Sequence, residues 1–187
     1  MNTTSTTVNS ATTPEATTPK TYAPRLTLYH PTGSGTGAAL QLALRLNRPG
    51  EDRYDCFFLD MTAQKSAAGR DGEKRVPATF DWENKMTVKL GFADICELLM
   101  VLEGRVERAG GARNGLYHEN GKSSTVISLQ KSAERAGYFL GLSRKAKDGG
   151  QVTRVQIVLG EAEAVGLRCL FQSGLFFMTF RHALDVV

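Results

Sequence analysis

The chain has 187 residues, 41% of them hydrophobic and 22% charged, with a formal net charge of +4. This length carries one domain with a substantial core or two very small ones, and the composition is that of an ordinary globular protein. No run reaches the roughly 18 apolar residues of a membrane span, which argues against a membrane partner, and a modest positive charge permits a polyanionic one without requiring it.

Residues 1–24 are rich in Thr, Ser, Ala and Pro, with Glu15 and Lys20 as their only charged side chains. They lack the apolar stretch of a secretory signal and the arginines of a mitochondrial transit peptide. Such a segment cannot bury enough surface to offset its ordering entropy, so a disordered tail is expected. Residues 25–187 then read as one domain with an internal repeat, 25–105 and 113–187.

The first half opens on Leu28-Tyr29-His30 and a polar Gly-rich stretch. A strand-like run follows from Ala38 to Arg48, in which Leu40, Leu42, Leu44 and Leu46 alternate with Gln41, Ala43, Arg45 and Asn47. Next come an aromatic strand, Asp55 to Leu59, and a third run in which Trp82, Asn84, Met86, Val88 and Leu90 alternate with polar residues. Phe92, Ile95, Leu98, Leu99 and Leu102 then make a helical stripe that ends near Gly104.

The second half repeats the order. Leu116-Tyr117-His118 leads to a strand from Thr125 to Lys131, a strand at Gly137 to Gly141, and a strand through Val155, Ile157 and Leu159. From about Glu161 a helix is predicted that is apolar on most sides, with Gly174 as a potential break. One apolar and one polar face per sheet is the mark of antiparallel pairing. The fold class is therefore α+β: two repeated antiparallel sheet units, each followed by a helix that covers its own sheet, with the polar sheet faces open.

Thr32-Gly33-Ser34-Gly35-Thr36-Gly37 has neither the lysine nor the following helix of a phosphate loop, and reads as a turn. Cys56, Cys96 and Cys169 match no zinc or redox spacing. They suggest buried thiols in a reducing, cytoplasmic compartment (nucleoid-associated in a bacterial host) rather than a secreted protein. His30 and His118 occupy equivalent repeat positions, which favours a structural role at a strand start over metal ligation. No motif places a nucleophile or a carboxylate pair, so the expectation is no enzyme, no metal and no cofactor.

Basic and aromatic residues carry the functional reading. Arg45, Lys85, Lys89, Lys122, Lys131, Arg144 and Lys145 lie on or beside the strands and are the candidate phosphate contacts. Tyr54, Phe58, Trp82, Tyr138 and Phe139 are the candidate stacking platforms. A basic groove with aromatic platforms is how single strands are held without sequence readout, because every base has a stackable face.

Phe80-Asp81-Trp82-Glu83-Asn84-Lys85-Met86-Thr87-Val88 resembles the Tyr-Asp-Trp-Ser-x-Lys-x-x-Phe strand of the Whirly family of single-stranded DNA-binding proteins. Gly137-Tyr138-Phe139-Leu140-Gly141-Leu142-Ser143 resembles that family's Gly-His-Phe-Phe-Asn-Leu-Ser strand. The final strand and apolar helix, Val155 to Phe180, match in order and length. The resemblance implies two four-stranded sheets packed crosswise with helices between them, a homotetramer built through the C-terminal helices, and single-stranded DNA along sheet edges. Related folds in trypanosome guide-RNA-binding proteins and a transcription coactivator keep RNA among the implied partners. One departure stands out: the family's Lys-Gly-Lys-Ala-Ala-Leu appears here as Gly35-Thr36-Gly37-Ala38-Ala39-Leu40, without either lysine. Arg45, Arg48 and Lys122 are the candidate substitutes.

The expectation is thus a sequence-tolerant single-stranded DNA-binding protein that protects or anneals DNA in replication, recombination or repair. Two alternatives remain open: an RNA-binding or annealing protein or transcriptional coregulator of the same fold, and an oligomeric protein-interaction scaffold.

Overall fold

The computed structural model describes residues 25–46, 55–134 and 136–184, with side chains as far as Phe180. Residues 1–24, Arg48 and Tyr54 lie outside the described residues. Strands β1 (Leu26–His30), β2 (Ala38–Arg45) and β3 (Cys56–Ser66) form an antiparallel meander. A separate hairpin follows, β4 (Gly69–Asp71) with β5 (Lys74–Val76), then the short β6 (Thr79–Phe80) and β7 (Met86–Leu90). Helix α1 (Phe92–Leu102) closes this half. The second half runs β8 (Leu116–Glu119), β9 (Ser123–Lys131), β10 (Tyr138–Ala146), β11 (Thr153–Leu159) and α2 (Glu161–Leu184), its sheet ordered β11-β10-β9-β8.

Each half thus runs from antiparallel strands into a helix. Alternation also holds: Leu40, Leu42, Leu59, Met61, Met86, Val88 and Leu90 are buried from one sheet, and Ile127, Leu129, Leu140, Leu142, Ile157 and Leu159 from the other. One apolar core takes side chains from both sheets and both helices.

Three expectations are corrected. The third run of the first half is not one strand through Trp82. Residues Trp82–Asn84 form a 3-10 turn between β6 and β7. Local polar bonds displace the ladder there: Asn84 donates from its backbone and its side chain to Asp81, and Thr62 donates its hydroxyl to the Asp81 carbonyl. As a result β3 has two partners on one edge, β7 along its first part and β6 along its last.

Helix α2 is not broken at Gly174. An added Cβ there would run into the Phe57 ring, which also stacks edge-on against Phe171 at 5.5 Å. The glycine is a packing seat for a core aromatic, and tertiary contact outweighs its roughly 1 kcal/mol propensity cost.

The helices also cross over rather than each covering its own sheet. Phe171 and Gly174 of α2 lie on Phe57 of the first sheet, while α1 packs on β9 of the second. Two histidines make the crossing reciprocal. His30, at the end of β1, donates from Nε2 to Glu163 of α2 at 2.7 Å, and His118 of β8 donates to Asp94 of α1 at 2.9 Å. Each carboxylate also accepts the backbone N–H that opens its own helix, Gly160 for Glu163 and Gly91 for Asp94. The helix N-termini are thus capped from within and latched from the opposite half. The histidines end or lie within strands rather than start them, and their role is structural.

Of the cysteines only Cys56 is buried; Cys96 is half-buried and Cys169 exposed.

Candidate nucleic-acid interface

The open face of the first sheet follows from its register. One row across it is Tyr29, Ala39 and Thr62; the next is Thr27, Gln41, Asp60 and Thr87; the next is Ala43, Phe58 and Lys89. The rows differ sharply in chemistry.

The first row is aromatic. Tyr29 is 53% exposed, and its ring lies 5.3 Å from Phe80 and 6.3 Å, edge-on, from Trp82. Ala39 and Thr62 of the same row are almost fully buried, Thr62 with its hydroxyl on the Asp81 carbonyl. The 3-10 turn that breaks the ladder is what swings Trp82 over this face. Sequence periodicity places Trp82 in the apolar class; in the structure it is half-buried, with its ring set against Tyr29. Tyr29 and Phe80 were not among the expected site residues, although the repeated Leu-Tyr-His and the Phe-Asp-Trp segment contain them.

The middle row is a neutralised carboxylate. Asp60 accepts from Lys85 Nζ at 2.6 Å and from the Thr87 hydroxyl. Lys85, expected to meet phosphate, is held by Asp60 in this structure. The third row is basic and apolar, with Phe58 half-buried and Lys89 exposed. Arg45 lies one step beyond, opposite Cys56. Burial pushes the Cys56 thiol up, while Lys89 and Arg45 pull it back, so both cations converge on this end of the sheet.

The second sheet is laid out differently. Its open face carries Ser124, Val126, Ser128 and Gln130 on β9, Phe139, Gly141, Ser143 and Lys145 on β10, and Arg154, Gln156 and Val158 on β11. The missing side chain at Gly141 leaves a polar depression of about 380 Å³ edged by Asn114, Ser128, Ser143, Arg154 and Gln156. Arg154 is a cation the sequence reading passed over as a site residue; its alternation with Val155 was the available signal. Phe139 and Lys131 share a groove with Arg108, Glu107 and Glu134. Lys122 and Lys145 lie near one outer corner, where Lys147 pairs with Glu119 and holds that carboxyl below its usual range.

Two expected contacts turn inward. Tyr138 is 6% exposed, in phase with Leu140 and Leu142, and packs in the core. Adjacent strand residues face opposite ways, so only one of Tyr138 and Phe139 can lie on the open face. Arg144 shares Tyr138's phase. Its Nε donates to the Thr125 hydroxyl and its terminal nitrogen donates to the Thr87 carbonyl at 2.7 Å, tying β10 to β7 across the two sheets.

The Gly-rich loop is also structured. Gln64, buried on β3, accepts from the backbone N–H groups of Thr32 and Gly37 and donates to the Thr32 and Ser66 carbonyls. A side chain at position 37 would collide with Gln64 and the His30 carbonyl. The missing lysine at Gly37 is therefore a consequence of this staple.

No family model matches the chain, and no curated protein matches its sequence. Solved structures do. WHY1 from Arabidopsis thaliana superposes with a TM-score of 0.66 at 18% identity, covering 90% of this chain and 92% of that one. The plant transcriptional regulator PBF-2 gives 0.63 at 18% identity, covering 89% and 87%. A guide-RNA-binding protein complex bound to a guide RNA gives 0.55 at 16% identity, covering 84% and 93%. The chain has the Whirly fold.

Proposed function

We propose that this protein binds single-stranded nucleic acid, DNA by preference, on the open face of its first sheet. The observation that carries the reading is the cluster of exposed Tyr29 with half-buried Phe80 and Trp82, on a polar face whose far end holds Lys89 and Arg45. Unroofed rings on a strand face offer bases a stacking surface, and flanking cations offer phosphates a field. The role we propose for such binding is to protect or anneal single strands in replication, recombination or repair. Fluorescence anisotropy with labelled oligonucleotides across a salt series tests the reading. Single strands should bind far more tightly than duplex, and affinity should fall steeply with salt; equal binding of both, or a flat salt response, would end it. The fold shared with a guide-RNA-binding complex supports a second reading, RNA, and a matched RNA competitor separates the two.

Self-association through α2 belongs to the same reading. Val165, Leu170, Phe176, Phe177 and Phe180 are exposed along one helix, the last of them 53% exposed, and Phe176 stacks on both Phe177 and Phe180. Rings in such a patch favour a protein partner over water, and a second copy is the expected occupant. Light scattering should give a tetramer, and Phe177→Asp with Phe180→Asp should reduce it to smaller species. A monomeric wild type would refute it.

A further inference from the structure

Every residue of the β4–β5 hairpin strands, Gly69–Asp71 and Lys74–Val76, is exposed. It turns through the two-residue loop Gly72-Glu73, where Gly72 takes a φ of +60°, as such tight hairpin loops require. Its register places Arg70 directly opposite Arg75, and Asp71 opposite Lys74. Cross-strand partners point to the same face, so one face of the hairpin carries two guanidinium groups and the other a balanced pair. Like charges directly opposite destabilise a hairpin. Among the described residues no carboxylate pairs with Arg70 or Arg75. Two adjacent guanidinium forks with no internal counter-ion suit an anion with several oxygens, and phosphate fits that geometry.

The hairpin's root is equally informative. It springs from the β3–β6 ribbon, where Gln64 pairs with Phe80 and the Ser66 hydroxyl meets that of Thr79 at 2.7 Å. Phe80 is one of the three clustered rings. Phe80 is five positions beyond Arg75 in the chain, so the Cα atoms of the two are at most about 18 Å apart. That span is within the reach of a strand only a few nucleotides long.

We propose that β4–β5 is a phosphate-gripping finger, in which Arg70 and Arg75 together hold the backbone of a single strand whose bases stack on Tyr29, Phe80 and Trp82. This rests on the nucleic-acid reading above. The test compares wild type with Arg70→Ala/Arg75→Ala and Arg70→Lys/Arg75→Lys by anisotropy on one labelled single-stranded oligonucleotide across a salt series. Loss of two phosphate contacts should lower the slope of log affinity against log salt by about 1.4 and weaken binding roughly tenfold or more at low salt. The lysine pair should restore the slope and only part of the affinity, because it lacks the fork. Thermal melting should match or exceed wild type, since a repulsive surface pair has been removed. Wild-type binding with an unchanged slope in the alanine variant overturns the finger alone; no binding by wild type overturns the finger and the parent reading together. Anionic vesicles bound by wild type and not by the alanine variant, with oligonucleotide affinity unchanged, would assign the finger to a membrane surface and overturn the proposal.

Discussion

Replacing Tyr29 with leucine should weaken single-strand binding about tenfold or more and leave its salt dependence unchanged. Leucine keeps an apolar side chain against Phe80 at a half-exposed position, so the fold is preserved, but it removes the most exposed ring of the cluster. Base–aromatic stacking contributes roughly 1–3 kcal/mol per base, and 1.4 kcal/mol is about a factor of ten. No phosphate contact is lost, so the counterion term stays as it was. The combination of lower affinity and unchanged slope separates a stacking residue from a charged one, and is the reverse of what the Arg70 and Arg75 variant should show. Trp82 gives an internal readout, because it is the only tryptophan in the chain. Saturating oligonucleotide should change its fluorescence in wild type, through direct stacking or through movement of Tyr29 against its edge. A spectrum unaltered at saturation would mean that bases do not reach this row.

The second large effect concerns the crossed latches. The double variant His30→Ala/His118→Ala should unfold at markedly lower denaturant and roughly 6–12 °C lower in temperature. Each histidine donates to a carboxylate that is less than a third exposed. Hydrogen bonds to charged groups contribute about 1.5–3 kcal/mol, and discounting for partial exposure leaves roughly 1–2 kcal/mol per latch. The two sites are separate, so their losses should nearly add, giving about 3 kcal/mol against a typical total of about 5–15. For a chain of this size each kcal/mol lowers the midpoint by about 2–4 °C. Differential scanning calorimetry measures it. A double variant that melts with the wild-type midpoint would mean the histidines hold nothing that water cannot replace.

Much of this architecture is legible in the amino-acid order. Period-2 runs in both halves locate the core faces, and the recurrence of Leu-Tyr-His marks equivalent strands. What escaped the sequence has identifiable physical causes. Trp82 sits in an alternating run, yet Asn84 bonds Asp81 through both its backbone and its side chain, and the strand breaks. Tyr138 and Arg144 are the right residue types in the wrong phase. Gly174 looks like a helix breaker until the Phe57 ring is seen in the space a side chain would fill. Which sheet each helix covers is a long-range choice with no local signature. The β4–β5 hairpin also has a local signature: Gly72 opens a two-residue loop, flanked by Arg70 and Arg75 at matching offsets.

The reciprocal latch has a further meaning in terms of symmetry. A contact in which one half's histidine meets the other's helix carboxylate, and the reverse, is the pattern of an isologous two-fold interface, written here within a single chain. In a true homodimer both faces must carry the same residues. A covalently joined pair is released from that constraint while keeping the shared scaffold. The two open faces differ accordingly: one bears the clustered rings of Tyr29, Phe80 and Trp82, while the other bears Tyr117 bonded to Ser124 and a hollow at Gly141. Quasi-equivalence of the frame is what lets one face specialise without cost to the other.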